Sequence, residues 1–419
     1  MQVIERFKAL SAIGRCSHNA EAMCRYLGET ARGYGYRMQS DGAGNLLCRR
    51  EDARLTLQAH YDMVCIGRAP EIEIFEEEGW LRARESTLGA DNGIGMAMML
   101  ELMAEGAPVS CLFTADEEVG LLGARALELP LQELPMLNLD SEAEGEVTIG
   151  CAGGVDIVAM KPLSYERAVR HCYRVEVGGL PGGHSGVDID KGIPNAIKEL
   201  ADLLEAEGTF LVEIGGGERR NAIPKNAYAV IASERPCTIE GAEALGEREV
   251  PCIRESGEIV AMLQGFAHGV RRMDEHLGIV HSSINLALLS QEGDELRIQL
   301  SARAMARQSL LSLESESVAY FEGFGCRVTA EGFYAPWPPE ESAFAQTVRD
   351  VYRSRCSTAA FGAIHAGLEC GVIKERYPLI DMASIGPNIT APHSTSEAVE
   401  IASVRRLYEV VKAVIERLG

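Results

Sequence analysis

Histidine and carboxylate side chains stand where short apolar runs of this sequence end. His60, Asp62, Glu117, Glu118 and Asp140 stand at or near the end of such a run. Asp91 and His393 lie in loops that contain glycine. Acids at the end of a buried strand are costly unless a positive charge lies beside them. Imidazole combined with carboxylate oxygen suits zinc, and also manganese or cobalt. The pattern therefore predicts a site for divalent metal ions where several segments meet.

The spacing of His60 and Asp62 is that of a metal ligand and a supporting carboxylate. Residues i and i+2 of a strand point to one face, and a metal-binding imidazole usually gives its second ring nitrogen to a carboxylate. Asp91 lies where the loop STLGADNGIG becomes helical, and His393 follows the loop IGPNITAP. Each residue alone is also consistent with a surface hydrogen bond or a helix N-cap. Together the residues offer five ligands and two helpers, and three carboxylates with one hydroxide would balance the charge of two zinc ions.

The segments that must position these residues alternate between strand and helix signals. Strand-like runs are LTLQAHYDMV, VSCLFTADEE and PMLNLDSE, and the helix-like NGIGMAMMLELMAEG separates the first two. A helix is predicted through AEAMCRYLGETARGYG, with Ser17 or Asn19 as its cap, and a hairpin joins YRMQ to LLCRR. The alternation predicts an α/β core with a partly parallel sheet, whose site lies beyond the carboxyl ends of the strands.

The pattern of strand and helix signals changes after GCAGG, and the earlier pattern returns near the proline-rich EGFYAPWPPEES. Between them, runs such as YRVEVGGL and ELRIQLSARAM with one strong helix signal indicate an α+β unit. The C-terminal stretch, which begins at PLIDMASIG, again has the pattern of a strand, a loop and a helix. We therefore predict a catalytic domain formed by residues 1–154 and 333–419, interrupted by a second domain at 155–332.

Composition excludes several classes of partner. The 419 residues carry 40 Lys and Arg against 62 Asp and Glu, a net charge of −22, which repels nucleic acid and anionic lipid. No run reaches the ~18 apolar residues of a membrane helix, and the N-terminal segment lacks a signal-peptide core. The twelve cysteines include no CxxC pair, and most, such as Cys65 and Cys111, are expected to be small buried apolar residues in a reducing compartment. We expect a cytoplasmic protein.

Eight motifs carry a resemblance that covers nearly the whole chain. In order they are LQAHYDMV, TLGADNGIGMA, EEVGLLGA, DSEAEGEVTIGCAGG, GGHSG, RNAIP, IHAGLECG and SIGPNITAPHS. They resemble the segments of the aminoacyl-histidine dipeptidases (peptidase D), of the dizinc peptidase superfamily that also holds aminoacylase and carnosinase. This resemblance implies a mixed-sheet dizinc peptidase core with an inserted α+β lid domain, and a homodimer. The stretch SAIGRCSHNAEAM departs from the family by lacking its proline-rich turn.

The resemblance also implies a role for each matching ligand residue. His60 and Asp140 would hold one zinc ion, and Glu118 and His393 would hold the other. Asp91 would bridge the two ions.

The resemblance extends to the groups that act on the substrate. Glu117 would be the general base, and Asp62 would orient His60. As further hypotheses, His184 of GGHSG stabilises the oxyanion, and Asn221 and Arg303 bind the terminal carboxylate of the substrate. The planar guanidinium of arginine suits a carboxylate better than lysine does. His365 and Glu369 of IHAGLECG are placed in or near the substrate pocket, without a role.

The predicted activity is hydrolysis of dipeptides with a free C-terminus, of Xaa-His type, by metal-activated water. Two alternatives stay open at this point. One is an N-acyl-amino-acid amidohydrolase of the same superfamily, and the other is a non-catalytic peptide-binding protein that kept the fold.

Overall fold

The computed structural model describes residues 2–205, 209–236, 239–356 and 359–419, and it divides the chain into two compact units. Unit 1 comprises Met1–Cys151, Trp337–Ala363 and Leu368–Gly419, and unit 2 comprises Ala152–Pro336 and Ile364–Gly367. The sequence prediction did not foresee that 364–367 join unit 2. The predicted domain boundaries and the lid assignment stay predictions.

The described residues form helices in both units. In chain order they are α1 (Gln2–Ser11), α2 (Glu21–Gly33), α3 (Ala90–Ala104), α4 (Leu122–Arg125), α5 (Ala196–Glu205), α6 (Ser256–Gly265), α7 (Arg307–Gly323), α8 (Ala343–Arg355), α9 (Glu369–Arg376) and α10 (Ile401–Arg417). Helices α5, α6 and α7 belong to unit 2. Helix α3 is apolar on all sides and is buried along most of its length, as such a composition requires.

The strands of unit 1 are short, and most strands of unit 2 are longer. Those of unit 1 that precede unit 2 are β1 (Arg37–Ser40), β2 (Leu46–Arg49), β3 (Leu55–His60), β4 (Ile74–Glu77), β5 (Trp80–Ala83), β6 (Val109–Thr114), β7 (Met136–Asn138) and β8 (Glu146–Cys151). Those of unit 2 are β9 (Gly153–Pro162), β10 (Tyr165–Val177), β11 (Gly183–His184), β12 (Phe210–Gly216), β13 (Ala222–Ile223), β14 (Ala227–Ser233), β15 (Glu243–Ile253), β16 (Gly269–Asp274), β17 (Ile279–Glu292), β18 (Glu295–Ala304) and β19 (Arg327–Tyr334). The chain then adds β20 (Ala360–Ile364), β21 (Met382–Ser384), β22 (Ile389–Thr390) and β23 (Ala398–Glu400).

Unit 1 is built on a mixed sheet in the order β1-β2-β6-β3-β7-β21-β8-β20, with a smaller sheet β22-β23-β5-β4. Strand β3 lies parallel to both β6 and β7, and β7 lies parallel to β21. The hairpin of β1 and β2 is antiparallel, as predicted. The mixed α/β core predicted from the alternating strand and helix signals is confirmed.

The two faces of this sheet differ in chemistry, as strand β3 illustrates. Leu55, Leu57 and Ala59 belong to the apolar core that includes residues of α1 and α3. Gln58 and His60 lie on the opposite face, because successive side chains of a strand alternate. Burial of the first face stabilises the strand, and the second face is left to polar groups.

Unit 2 is an α+β structure. Its main sheet has the order β15-β10-β14-β12-β17-β18-β9-β19, with β16 paired to β17, and neighbouring strands are antiparallel. Residues of α5, α6 and α7 form one apolar core with this sheet. The α+β character agrees with the strand-like runs and the helix signal predicted for this part of the sequence.

Two local expectations are wrong. The N-cap of α2 is Ala20, without a side-chain cap, so neither Ser17 nor Asn19 caps it. Cys65 is not a buried apolar residue: it is half-buried and forms a disulfide bond with Cys16, their Cα atoms 5.5 Å apart. A bridge between Cys16 and Met63 brings the two segments together, and this long-range pairing has no signature in cysteine spacing. Cys111 is buried and free, as predicted.

Every helix in the part of the chain that the structure describes is too short or too polar to cross a membrane.

Candidate metal centre

Adjacent parallel strands bring several of the predicted ligands to one edge of the unit 1 sheet. His60 is the last residue of β3, Glu117 and Glu118 follow β6, and Asp140 follows β7. Because parallel strands end at the same edge, these four side chains converge although they are far apart in sequence.

Five predicted ligands form two groups that share Asp91. Ligand atoms within 4.8 Å of one another come from His60, Asp91 and Asp140 in one group, and from Asp91, Glu118 and His393 in the other. Asp91 Oδ1 lies 3.0 Å from His60 Nε2, and Asp91 Oδ2 lies 3.1 Å from His393 Nε2. His60 Nε2 is 3.3 Å from Asp140 Oδ1, and His393 Nε2 is 2.8 Å from Glu118 Oε2. Asp91 therefore presents one oxygen to each group.

The electrostatics of the cluster favour a cation between these groups. Burial, together with the negative charges of Asp91 and Glu118, raises the pKa of Asp140 to about 6, although His60 opposes this shift. Burial and the charge of Asp91 also raise the pKa of Glu118. Within the described residues, the buried Oε1 of Glu118 has no hydrogen-bond partner. Divalent cations would relieve this crowding of acids, so the donor set fits metal ions.

Asp62 lies behind the ligands and joins three segments. Its carboxylate accepts hydrogen bonds from Ser17 Oγ at 2.7 Å and from the backbone N–H groups of Glu117 and Glu118 at 3.0 and 3.4 Å. Its Oδ1 is 3.5 Å from His60 Nδ1, longer than an ordinary hydrogen bond. Burial opposes its charge, but His60 and Ser17 hold the pKa of Asp62 below its ordinary value. Ser17, expected as a helix cap, instead contacts the site.

Two residues of the site have a left-handed backbone. His393 has φ of 57°, and Asp116, directly before Glu117, has φ of 49°. Such conformations cost about 1–3 kcal/mol in residues other than glycine and concentrate at functional sites. Left-handed conformations at these two positions are in keeping with a functional site.

Glu117 stands beside the ligands in a third group. Its carboxylate lies within 4.8 Å of ligand atoms of His60 and Glu118. Burial raises its pKa well above the ordinary value, His60 opposes the shift, and the charges of Glu118 and Asp140 add to it. A carboxyl group with a raised pKa is better suited to accept and return protons near neutral pH than an ordinary exposed glutamate.

A polar layer next to the predicted ligands joins Glu369 to Gln58, Thr114 and Asn138, and sequence reasoning did not single out the last three. Asn138 Nδ2 donates to Gln58 Oε1 at 2.5 Å, and Gln58 Nε2 and Thr114 Oγ1 donate to Glu369 Oε2 at 2.6 and 2.7 Å. Burial raises the pKa of Glu369 to about 8. Gln58 and Asn138 each stand two positions before a ligand, on the same face of an otherwise apolar strand. That spacing is a signal by which the layer could have been found.

The predicted substrate-binding residues lie in unit 2. His184 is in β11 and pairs with Ala222, next to Asn221, whose carbonyl accepts the N–H of Ser185 at 2.9 Å. Arg303 lies in β18, is only 7% exposed, and donates to the hydroxyl of Tyr334 at 2.8 Å. A strand arginine of this kind is not a solvated side chain.

His365, left without a role, is also part of unit 2. It is buried, and its Nε2 lies 2.8 Å from the hydroxyl of Ser283. Ser283 is the direct cross-strand neighbour of Arg303. His365 and Arg303 therefore share one polar region of this unit, whereas Glu369 belongs to the polar layer of unit 1.

Comparison with known proteins establishes the family. The family model described as peptidase family M20/M25/M40 matches residues 56–417. The chain belongs to this family. As an M20/M25/M40 member it is a peptide-bond hydrolase, and the resemblance to dipeptidases drawn from its motifs is confirmed.

Two relatives are similar to this M20/M25/M40 chain over almost their whole length. Cytosol non-specific dipeptidase of Escherichia coli (strain K12) is 30% identical, over 98% of this chain and 96% of the relative. The crystal structure of aminoacylhistidine dipeptidase from Vibrio alginolyticus has 29% identity and a TM-score of 0.82, covering 100% of this chain and 96% of that one. A tripeptidase from Staphylococcus aureus shares the fold at 16% identity and a TM-score of 0.63, covering 100% and 98%.

Proposed function

We propose that this M20/M25/M40 peptidase is a dizinc dipeptidase that cleaves dipeptides with a free C-terminus, those of Xaa-His type among them. The observation that carries the proposal is the position of Asp91, which offers one oxygen to each of two ligand groups. A carboxylate placed in this way is suited to bridge a pair of cations. The names of the two relatives, one a non-specific and one an aminoacylhistidine dipeptidase, support the substrate class.

In this proposal His60 and Asp140 would hold one ion, Glu118 and His393 would hold the other, and Asp91 would serve both. Mixed imidazole and carboxylate donors suit zinc, with manganese or cobalt as the alternatives. The fit of this donor set rests on the short distances between its atoms and on the unpartnered buried oxygen of Glu118 among the described residues.

Metal ions bound there would lower the pKa of a water molecule and polarise the scissile carbonyl. A carboxylate oxygen of Glu117 would accept the proton of the attacking water and return it to the leaving amine. The peptide C–N bond breaks, a C–O bond forms, and Glu117 ends in its starting state. Asp62 would keep the His60 ring in place through its charge, since 3.5 Å separate the two groups.

The residues proposed to bind the substrate all belong to unit 2. Arg303 is buried and charged, with its Nε unpartnered among the described residues, so it can take a carboxylate. Asn221 would assist it, and His184 would stabilise the oxyanion. Because the resemblance implies that the histidine matching His184 is supplied by the neighbouring subunit, we propose a homodimer.

We propose a cytoplasmic location, supported by the name of the Escherichia coli relative. Thiols are kept mostly reduced in that compartment. The Cys16–Cys65 bond would then form only under oxidising conditions, which alkylation at lysis followed by mass spectrometry would measure.

The decisive experiment assays zinc-loaded protein against a dipeptide library, dipeptide amides and N-acetyl amino acids, with chelated protein as the control. We expect zinc-dependent cleavage of free dipeptides, with amides cleaved less well because Arg303 loses its partner. Preferred cleavage of N-acetyl amino acids would establish the amidohydrolase alternative. Absence of turnover with zinc bound would favour the peptide-binding alternative.

A further inference from the structure

Two buried charged residues outside the predicted ligand set lie in unit 1. Arg15 is 1% exposed and Glu397 is 3% exposed, although they are separated by most of the chain. Charged groups at this depth are costly unless they are paired or fully hydrogen-bonded. Their contacts therefore indicate what they hold in place.

Glu397 binds the backbone that leads into α3. Its two carboxylate oxygens accept the N–H groups of Leu88, Gly89 and Ala90 at 2.8, 2.9 and 2.7 Å, with that of Asp91 at 3.4 Å. The first N–H groups of a helix have no partner within the helix, and its N-terminus favours a negative charge. The N-cap, Gly89, offers no side chain. Glu397, from a distant segment, therefore satisfies the N–H groups of the backbone that enters α3, where Asp91 and Asn92 depart from helical φ and ψ.

Arg15 binds the carbonyl groups on the other side of this backbone. Its guanidinium donates to Asp62 O at 2.8 Å, to Tyr61 O at 3.4 Å and to Gly89 O. Gly89 is therefore held twice, by Glu397 at its N–H and by Arg15 at its carbonyl. A Cβ at Gly89 would lie 2.6 Å from Arg15 Nη2, so any side chain at this position would displace the Arg15 guanidinium.

We propose that Arg15 and Glu397 are positioning residues that fix the backbone of Asp91 relative to Asp62, and so hold the Asp91 carboxylate between His60 and His393. This Arg15–Glu397 clamp rests on the proposed function, because it assumes that Asp91 bridges two metal ions. Neither residue touches the ligand atoms; each acts through the main chain.

The clamp predicts a loss of metal affinity that a purely structural role would not cause. In Glu397→Gln the amide oxygen can still accept two N–H groups, but the NH₂ group faces the remaining donors and the charge is lost. Changes to groups that support ligands typically weaken metal binding about 10–100-fold. We expect a loss of that size, and a loss in the same direction for Arg15→Lys, whose ammonium cannot span three carbonyl groups.

The experiment titrates metal-free protein with zinc against a competing chelator and records the melting temperature of each metal-free variant. The matched control is Glu101→Gln, because Glu101 is also 3% exposed and lies in α3, but it pairs with Arg6 in the helix interior. The control should lower the melting temperature and leave the zinc Kd within about threefold of wild type.

A Glu397→Gln variant that melts earlier but binds zinc within about threefold of wild type would overturn the clamp. If that variant does not fold, Glu397→Asp replaces it, because it keeps the charge on a shorter side chain. Glu397→Asp should weaken zinc binding in the same titration, and unchanged zinc binding by this variant would also overturn the clamp. Failure of wild-type protein to bind two zinc ions would contradict the proposed function instead.

Discussion

Neighbouring acids in this site differ in what their side chains contact. Glu118 lies 2.8 Å from His393 Nε2, whereas Glu117 is grouped with His60 and Glu118 alone. Both residues lie in the turn after β6, and we propose that Glu118 binds metal while Glu117 faces the reacting water. This division of roles can be tested by removing one carboxylate at a time.

Glu117→Gln should lower kcat about 10²–10⁴-fold, because a general base contributes roughly that much. Its zinc content should stay at the wild-type level, since Glu117 is not a proposed ligand. The measurement is steady-state kinetics with metal analysis, and Glu133→Gln, an exposed site outside the cluster, is the control. Near wild-type turnover by zinc-loaded Glu117→Gln would assign the base to another residue.

His365 should make the stability of the metal-free protein depend on pH. Burial, with the positive charges of Arg303 and His281, lowers its pKa to about 3, against an ordinary value of about 6.5. The unfolded chain therefore binds the extra proton first, and the stability due to neutral His365 is present above pH 6.5 and is lost as the pH falls toward 3. At pH 5 this loss is about 2 kcal/mol.

Urea unfolding at pH 7 and pH 5 checks this expectation. Wild type should lose about 2 kcal/mol more than His365→Gln between these values. His276→Gln, at an exposed histidine of the same unit, should behave like wild type. Equal losses in wild type and His365→Gln would show that His365 titrates normally.

At the scale of elements, the position of each ligand depends on how closely loops approach one another. Gly386 follows β21 and lies against the residue after Asp140. A Cβ there would lie 1.4 Å from the carbonyl oxygen of Ser141. A backbone atom cannot move aside as a flexible side chain can, so this contact sets the spacing between two site loops.

Gly386→Ala should therefore destabilise unit 1 by about 3 kcal/mol and weaken zinc binding, because Ser141 must move together with Asp140. Gly257→Ala is the matched control: it lies in α6, has no atom within 4 Å of its added Cβ, and should gain up to about 1 kcal/mol from the loss of glycine flexibility. Melting temperatures and zinc titration measure both effects. A stable Gly386→Ala protein with normal zinc affinity would contradict this account.

What the sequence predicts well at this scale is whatever a single segment carries. His60 and Asp140 end apolar runs, so their strands and their exposure to one edge of the sheet follow from local pattern. Glu397 could not be found in this way, because it binds backbone N–H groups of another segment, and backbone groups have no sequence signature. The Cys16–Cys65 bond was missed because its partners are 49 positions apart, and the spacing of cysteines does not indicate which of them pair.

At the scale of the whole molecule, the proposed ligands and the proposed substrate-binding residues belong to different units. His60, Asp91 and His393 lie in unit 1, whereas His184 and Arg303 lie in unit 2. We propose that in a homodimer the His184 that completes each site would come from the other subunit. Activity should then be recoverable from two inactive proteins.

Mixing His184→Ala with Glu117→Gln under conditions that exchange subunits should restore part of the activity. One of the two sites in a mixed dimer would carry an intact Glu117 and an intact His184. The check is turnover of a dipeptide before and after mixing, with each variant mixed with itself as the control. No recovery, despite exchange shown by mass spectrometry of tagged subunits, would argue against a site shared between subunits.

Unit 1 is assembled from stretches at both ends of the chain, and this has a consequence for biosynthesis. The ribosome releases His393 and Glu397 only after all of unit 2 has been made. A nascent or prematurely terminated chain therefore lacks one proposed ligand and one arm of the Arg15–Glu397 clamp. Such fragments would be inert, so hydrolysis of cellular peptides would begin only with completed translation.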